Sequence, residues 1–155
     1  MYSLDQIDLR ILQMLQLNAR MSNADLAREL GMAPSAVLER VKKLEHKEVI
    51  LHYQTQINPV ALDQTMLAFI FIKAQDIIGE QRVGKQLAQI PEVLEVHDIA
   101  GDDGYLIKVR TKDTAGLVDL MRNSLSQIDG IISTRTTIVL ETVKESNLLA
   151  IPAIH

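Results

Sequence analysis

The first fifty residues space their apolar side chains three and four apart. Ile7, Ile11, Met14 and Leu15 share one face of a run that Asp5 can cap and that ends in the stretch Leu17-Asn18-Ala19-Arg20, which predicts a first helix. A second helix opens at Ser22, with Asp25 three residues on as a capping box, and runs through Leu26, Ala27 and Leu30 to Gly31. Pro34 stands where a third helix would place its first residue, a position whose N–H has no helical partner in any case. Val37, Val41 and Leu44 line the buried face of that third helix.

Beyond Ile50 the period changes. The segment HYQTQINP alternates as a strand does, and Asn58-Pro59 marks a turn, so residues 52–65 are expected to be a linker strand and hinge between a domain at 1–51 and another at 66–145. From Met66 the chain reads as strand (MLAFIFIKAQ), helix (EQRVGKQLAQI), strand (VLEVHDIAG), strand (GYLIKVRT), helix (TAGLVDLMRNSLSQI) and strand (IISTRTTIVLETV). That βαββαβ order is the ferredoxin-like one, and the whole chain is then of α+β class. Its first strand is apolar at almost every position from Met66 to Ile72, whereas a sheet with helices on one face should alternate. A second copy of the sheet would cover the other face, since two-fold homo-oligomers are the commonest assemblies; spare exposed apolar side chains are the alternative. The tail 146–155 is apolar enough to dock on a neighbour or on the sheet, or else frays.

Composition narrows the function classes. Apolar residues make up 47% of the 155 but aromatics only 3%, so the core is aliphatic. There is no cysteine, which excludes disulfides and thiolate metal sites. No stretch approaches the ~20 apolar residues of a membrane span, and MYSLDQID lacks the pattern of a secretory leader, so a cytoplasmic protein with no membrane partner is expected. Net charge is −4; residues 1–52 hold seven cationic and seven acidic side chains, and the acidic excess lies beyond them. With no basic domain, any nucleic-acid contact has to come from a local patch.

Such a patch exists in GMAPSAVLERVKKL. Ala27, Gly31 and Val37 supply a small residue where two helices cross, a residue free to take positive φ in the turn, and an apolar anchor beneath the second helix, the three needs of a helix-turn-helix. With Val37 inward, Ser35, Glu39, Lys42 and His46 point out, and Ala36, Arg40, Lys43 and Lys47 follow one flank. The N-terminus of such a helix meets base edges and cations further along meet phosphates. Ser35, Ala36 and Glu39 are therefore candidates for base readout, Arg40 for base or phosphate, and Lys42, Lys43 and Lys47 for phosphate. Ser22 and Asn23 add a backbone contact through the N-terminal amides of the preceding helix. The alternative is a solvated amphipathic helix with Glu39 and Lys43 as an i,i+4 pair.

A second candidate site is Gly101-Asp102-Asp103-Gly104, between two strands. Its glycines permit close backbone approach and its carboxylates suit an ammonium group, so the loop can hold both ends of a free amino acid. A plain hairpin turn is the alternative. A calcium site built from Glu95, Asp98, Asp102 and Asp103 is a poorer reading, because the loop lacks the spaced ligands of an EF-hand; no metal and no cofactor is expected.

The chain resembles the Lrp/AsnC, or feast/famine, transcriptional regulators over nearly its whole length. The resemblance rests on LDQIDLRIL, on ARMSNADLARELGMAPSAVLERVKKLE followed by VI, on INP, on AGDDGYLIKV and on TRTTIVLETVKESN; TRT and VKESN are closest to the leucine-responsive branch. It implies an N-terminal helix-turn-helix domain, winged or plain, a hinge, and a βαββαβ effector and dimerisation domain. Dimers that assemble to tetramers or octamers, double-stranded DNA with a pseudo-palindromic operator, and an amino-acid effector such as leucine are the implied partners, in a bacterial or archaeal, nucleoid-associated protein. The effector positions it implies are Gly101, Asp102, Asp103, Gly104, Tyr105 and Leu106, joined by Thr134 and Thr136. Three departures stand out. Ala33 replaces the usual Ser or Thr cap, Glu48 replaces a Gly after the third helix, and Gly104 stands where many relatives carry a second Asp.

The leading expectation is thus a DNA-binding regulator responding to an amino acid, not an enzyme. The resemblance also brings a first alternative, a tetrapyrrole decarboxylase-like enzyme, and a sensor or assembly protein without DNA function is the second. His46, His52, His97 and His155 are too dispersed to favour the first, and the retained cations of the third helix oppose the second.

Overall fold

The computed structural model describes residues 3–75 and 80–152. His155 lies outside them. The chain forms two compact units, one of Met1–Gln56 with Lys144–His155 and the other of Ile57–Val143.

The first unit is three helices, α1 (Gln6–Leu17), α2 (Asn23–Leu30) and α3 (Pro34–His46). Asp5 caps α1 and Ser22 caps α2, each in a complete capping box with the acidic residue three positions on. Ile11, Leu15, Leu26, Ala27, Val37, Val41 and Leu44 are buried together, so each helix contributes the stripe its periodicity predicts. No strand occurs among the described residues of this unit, which makes it the plain form of the motif.

The expected linker strand does not form. Residues 51–58 have no regular structure, and Leu51, Tyr53 and Ile57 are exposed. Alternation gives a strand only where a neighbouring backbone takes its hydrogen bonds, and among the described residues none does so there. Asn58 instead caps a short 3₁₀ turn, Pro59–Leu62, through a 3.0 Å bond from the Val60 N–H to its Oδ1.

The second unit runs β1 (Met66–Ala74), α4 (Arg82–Leu87), β2 (Val93–Asp98), β3 (Tyr105–Thr111), α5 (Thr114–Asp119) and β4 (Ile131–Ile138). The strands form one antiparallel sheet in the order β2-β3-β1-β4. Beyond α5 the helix widens to a π turn, Leu120–Ser124, and tightens to a 3₁₀ turn, Leu125–Gln127. Ala68, Ile70 and Ile72 of β1 and Tyr105, Ile107 and Val109 of β3 form the core with Val83, Leu87, Leu117 and Leu120 from the helical segments.

Register fixes what the other face carries. Phe71 stands opposite Leu106 on one side and Arg135 on the other, and Phe69 stands opposite Lys108 and Thr137. Phe69, Phe71 and Leu106 are half-buried within this chain, and the Arg135 guanidinium lies 4.1 Å over the Phe71 ring. The face away from the helices thus has an apolar centre with charges beside it, as the near-continuous apolar run of β1 requires.

Candidate DNA-reading helix and effector loop

The turn between α2 and α3 is built on Gly31, at φ 64° and ψ 35°, a left-handed conformation that costs glycine little. The Met32 N–H closes the turn on the Ala27 carbonyl at 2.9 Å. Ala27 and Val37 are both buried at the crossing. The backbone of Ala33 is extended, as a cap residue should be, but no side-chain bond caps α3. At the other end Glu48 takes φ 55°, and the Val49 and Ile50 N–H groups return to the Leu44 carbonyl at 2.9 and 3.2 Å. The helix therefore ends in the geometry that glycine usually serves, with a β-carbon in place.

On the surface of α3, Ser35, Glu39, Lys42, Lys43, His46 and Lys47 are exposed and Ala36 is half-buried. Among the described residues no ion pair engages Glu39, Lys42, Lys43 or Lys47. Arg40 differs from them: its Nη1 donates to Asp5 at 2.6 Å and to Asp8 at 2.8 Å. At the start of α2 the Ser22 hydroxyl accepts the Asp25 N–H at 3.1 Å and donates to the Asp25 carboxylate at 2.6 Å. The Ser22 hydroxyl, and then the Ser22 N–H that donates to the same carboxylate at 3.3 Å, hold the Asp25 carboxyl below the usual carboxylate range.

The loop between β2 and β3 is tied down at both ends. The Ile99 N–H donates to the Gly104 carbonyl and the Gly104 N–H to the Ile72 carbonyl, each at 3.0 Å. Asp103 accepts from Arg135 Nη2 at 3.0 Å, so its charge is already met within the chain. Asp102 is exposed. The residues implied as an effector set divide between the two faces of the sheet. Leu106 lies on the face of Phe71, whereas Tyr105, Thr134 and Thr136 lie on the helical side, Tyr105 and Thr134 opposite Ile72 and Thr136 opposite Ile70. Tyr105 is buried, and the Thr136 hydroxyl faces the Met121 sulfur at 3.8 Å. Among the described residues no cluster of His, Asp or Glu is placed to hold a metal ion.

Sequence reasoning missed three partners. Asp8 carried no role in the sequence, and its pairing with Arg40 spans 32 positions and leaves no local signal. Arg135 stood inside the TRT stretch without a role, and Gln16, which binds the backbone of Leu149, carried none.

A three-helix unit presenting a cation-bearing helix, joined to a four-stranded α+β unit with a glycine-bounded loop, defines a transcriptional regulator with separate DNA-reading and ligand-binding parts. Family models place both parts: residues 4–45 match the AsnC-type helix-turn-helix domain and residues 67–149 the Lrp/AsnC ligand binding domain. The chain belongs to the Lrp/AsnC family of DNA-binding transcriptional regulators. It is similar to the leucine-responsive regulatory protein of Haemophilus influenzae, at 37% identity over 96% of this chain and 91% of that one. Among solved structures it superposes on an L-Met complex of a Neisseria meningitidis transcriptional regulator (TM-score 0.88, 26% identity, 96% of this chain and 97% of that one). It superposes also on Escherichia coli AsnC (TM-score 0.86, 28% identity, 95% and 99%). Among the described residues no helix is long and apolar enough to cross a membrane.

Proposed function

We propose that this protein regulates amino-acid-related genes by binding pseudo-palindromic operators as a homodimer, and that dimers assemble to tetramers or octamers under control of an apolar amino acid such as leucine or methionine. The cations Lys42, Lys43 and Lys47 along α3, exposed and without an ion pair among the described residues, carry this reading. In this reading they meet phosphates, while Ser35, Ala36 and Glu39 read base edges and the Ser22–Asn23 terminus of α2 meets the DNA backbone; the exposure of the three lysines, Ser35 and Glu39 supports it. A neutral first unit makes each helix a weak, salt-sensitive reader, so several must act together.

The sheet face of Phe69, Phe71 and Leu106 supports dimerisation through a second copy of the same face. For the effector, Asp102 is the carboxylate available to an ammonium group, because Asp103 is met by Arg135. The backbone N–H groups of Gly101, Asp102 and Asp103 are offered to the carboxylate, the Gly104 N–H being taken by the Ile72 carbonyl, and Leu106 is an apolar neighbour. Tyr105, Thr134 and Thr136 contribute from the helical side. The L-Met complex of the Neisseria relative supports an amino acid in this role.

Gel shifts with enriched operator and random DNA over a salt series, with and without each amino acid, test the reading, beside a thermal-shift screen of the twenty amino acids. Operator preference that changes with one or a few apolar amino acids is expected. Equal affinity for operator and random DNA under all conditions would sink it.

A further inference from the structure

Arg40 sits among the outward cations of α3, yet its guanidinium is spent inside the first unit. Nη1 donates to Asp5 Oδ2 at 2.6 Å and to Asp8 Oδ1 at 2.8 Å, and the Asp8 side chain is only 13% exposed. The same two carboxylates make the capping box of α1. Asp5 Oδ1 accepts the Asp8 N–H at 2.8 Å, and Asp8 Oδ2 accepts the Asp5 N–H at 3.2 Å. Each carboxylate therefore gives one oxygen to the start of α1 and the other to Arg40, so α3 is cross-braced to the cap of α1 by charge-assisted bonds.

This arrangement decides the electrostatics at DNA. One guanidinium faces two carboxylates, so the group of three carries a net charge of −1 and adds nothing to phosphate attraction. Moving Arg40 onto a phosphate would leave Asp5 and Asp8, two like charges close together, uncompensated beside an anionic polymer. We propose that Arg40 is a positioning residue: with Asp5 and Asp8 it sets the pose in which α3 enters the groove, and Lys42, Lys43 and Lys47 hold the phosphates. This inference rests on the DNA-binding reading above.

The two roles leave different signatures in the salt dependence of binding. A lost phosphate contact lowers the slope of log K against log salt by about 0.9 and weakens all sequences alike. A lost brace leaves the slope and lowers the operator-to-random ratio. Arg40→Ala, Arg40→Lys, Asp8→Asn and the double variant Arg40→Ala/Asp8→Asn are compared in the full-length protein, with Lys42→Ala as the phosphate control. Expected are an unchanged slope and a several-fold fall in the ratio for both Arg40→Ala and Asp8→Asn. The double variant should be no worse than either alone, because the two residues act as one device. A slope lowered by about one unit in Arg40→Ala, or a tighter operator complex in Asp8→Asn, would overturn the proposal. If Arg40→Ala does not fold, Asp8→Asn and Arg40→Lys carry the same comparison. Amide exchange in the first turn of α1 reads the brace without DNA. A wild-type protein with no operator preference but a first turn that loosens in Arg40→Ala would sink the DNA reading and leave the brace. A first turn unchanged in Arg40→Ala would sink the brace itself.

Discussion

Gln16 and Leu149 bond amide to amide across 133 positions of chain. The Gln16 Nε2 donates to the Leu149 carbonyl and the Leu149 N–H donates to Gln16 Oε1, both at 2.8 Å. The pairing is the one two strands would make, with a side-chain amide standing in for a backbone. It places the C-terminal segment in the first unit, so the chain passes between its two units twice, at Gln56–Ile57 and at Val143–Lys144.

Removing that clamp should free the tail. Gln16→Ala takes away both bonds, each contributing about 1 kcal/mol, and the Leu149 amide should then lose its protection from hydrogen exchange while the helical core keeps its own. Gln16→Glu retains an acceptor for the Leu149 N–H but sets an anion against the Leu149 carbonyl, so an intermediate loss is expected. Wild-type exchange at Leu149 in Gln16→Ala would contradict the clamp.

Acid should loosen the first unit at its helix starts. The Asp8 N–H first, and then Arg40, hold the Asp5 carboxyl below the usual carboxylate range, and the bonds from Ser22 do the same for Asp25. A folded-state pKa below the unfolded value means that the stabilisation is present above about pH 4 and is lost as pH falls through the folded value. Carboxyl chemical shifts should titrate for Asp5 at lower pH in the folded protein than in urea. A midpoint equal to or above the unfolded one would refute this.

The two ends of α3 offer stabilising changes. Ala33 already has the extended backbone of a cap, so Ala33→Ser should let a hydroxyl accept an N–H of the first turn and raise stability by about 1 kcal/mol. Glu48→Gly removes a β-carbon from a φ of 55°, a conformation costing L-residues on the order of 1 kcal/mol. The sites share no partner, so the gains should add. Urea unfolding of the single and double variants checks both, and midpoints at or below wild type would count against the cap and strain readings.

Gly84 is held small by its neighbour. A β-carbon there would stand 2.7 Å from Tyr105 Cε1 and 3.1 Å from Cζ, and the Tyr105 ring is buried in the core. Alanine gains about 1 kcal/mol in helix propensity, but overpacking costs about 1–3 kcal/mol and should win. Gly84→Ala is therefore expected to lower the unfolding midpoint without changing the m-value; a stabilised variant would show that α4 moves away freely.

Local chemistry made much of this protein legible. The caps at Asp5 and Ser22, Pro34 at the start of α3, the turn at Gly31 and the strands and helices of the second unit follow from properties that act within a few residues, namely propensity, hydrophobic period and satisfaction of helix ends. The same reasoning gave HYQTQINP a strand that does not form, because a strand needs a partner that its own residues do not provide. The grouping of Tyr105, Leu106, Thr134 and Thr136 came from the family resemblance rather than from local chemistry, and strand parity sets Leu106 on one face of the sheet and the other three on the opposite one. Pairings over long separations were beyond local chemistry. Exposure and charge alone could not distinguish Arg40 from Lys42 and Lys43, and Asp102 and Asp103 looked alike in the loop. The sequence by itself determined the helices, their caps and turns, and the order of the elements that form, since those depend largely on neighbours in the chain. Only the tertiary structure decided that Arg40 serves Asp5 and Asp8, that Asp103 is met by Arg135 and that Gln16 holds Leu149, because charge pairing and amide bonding depend on distances that folding alone creates.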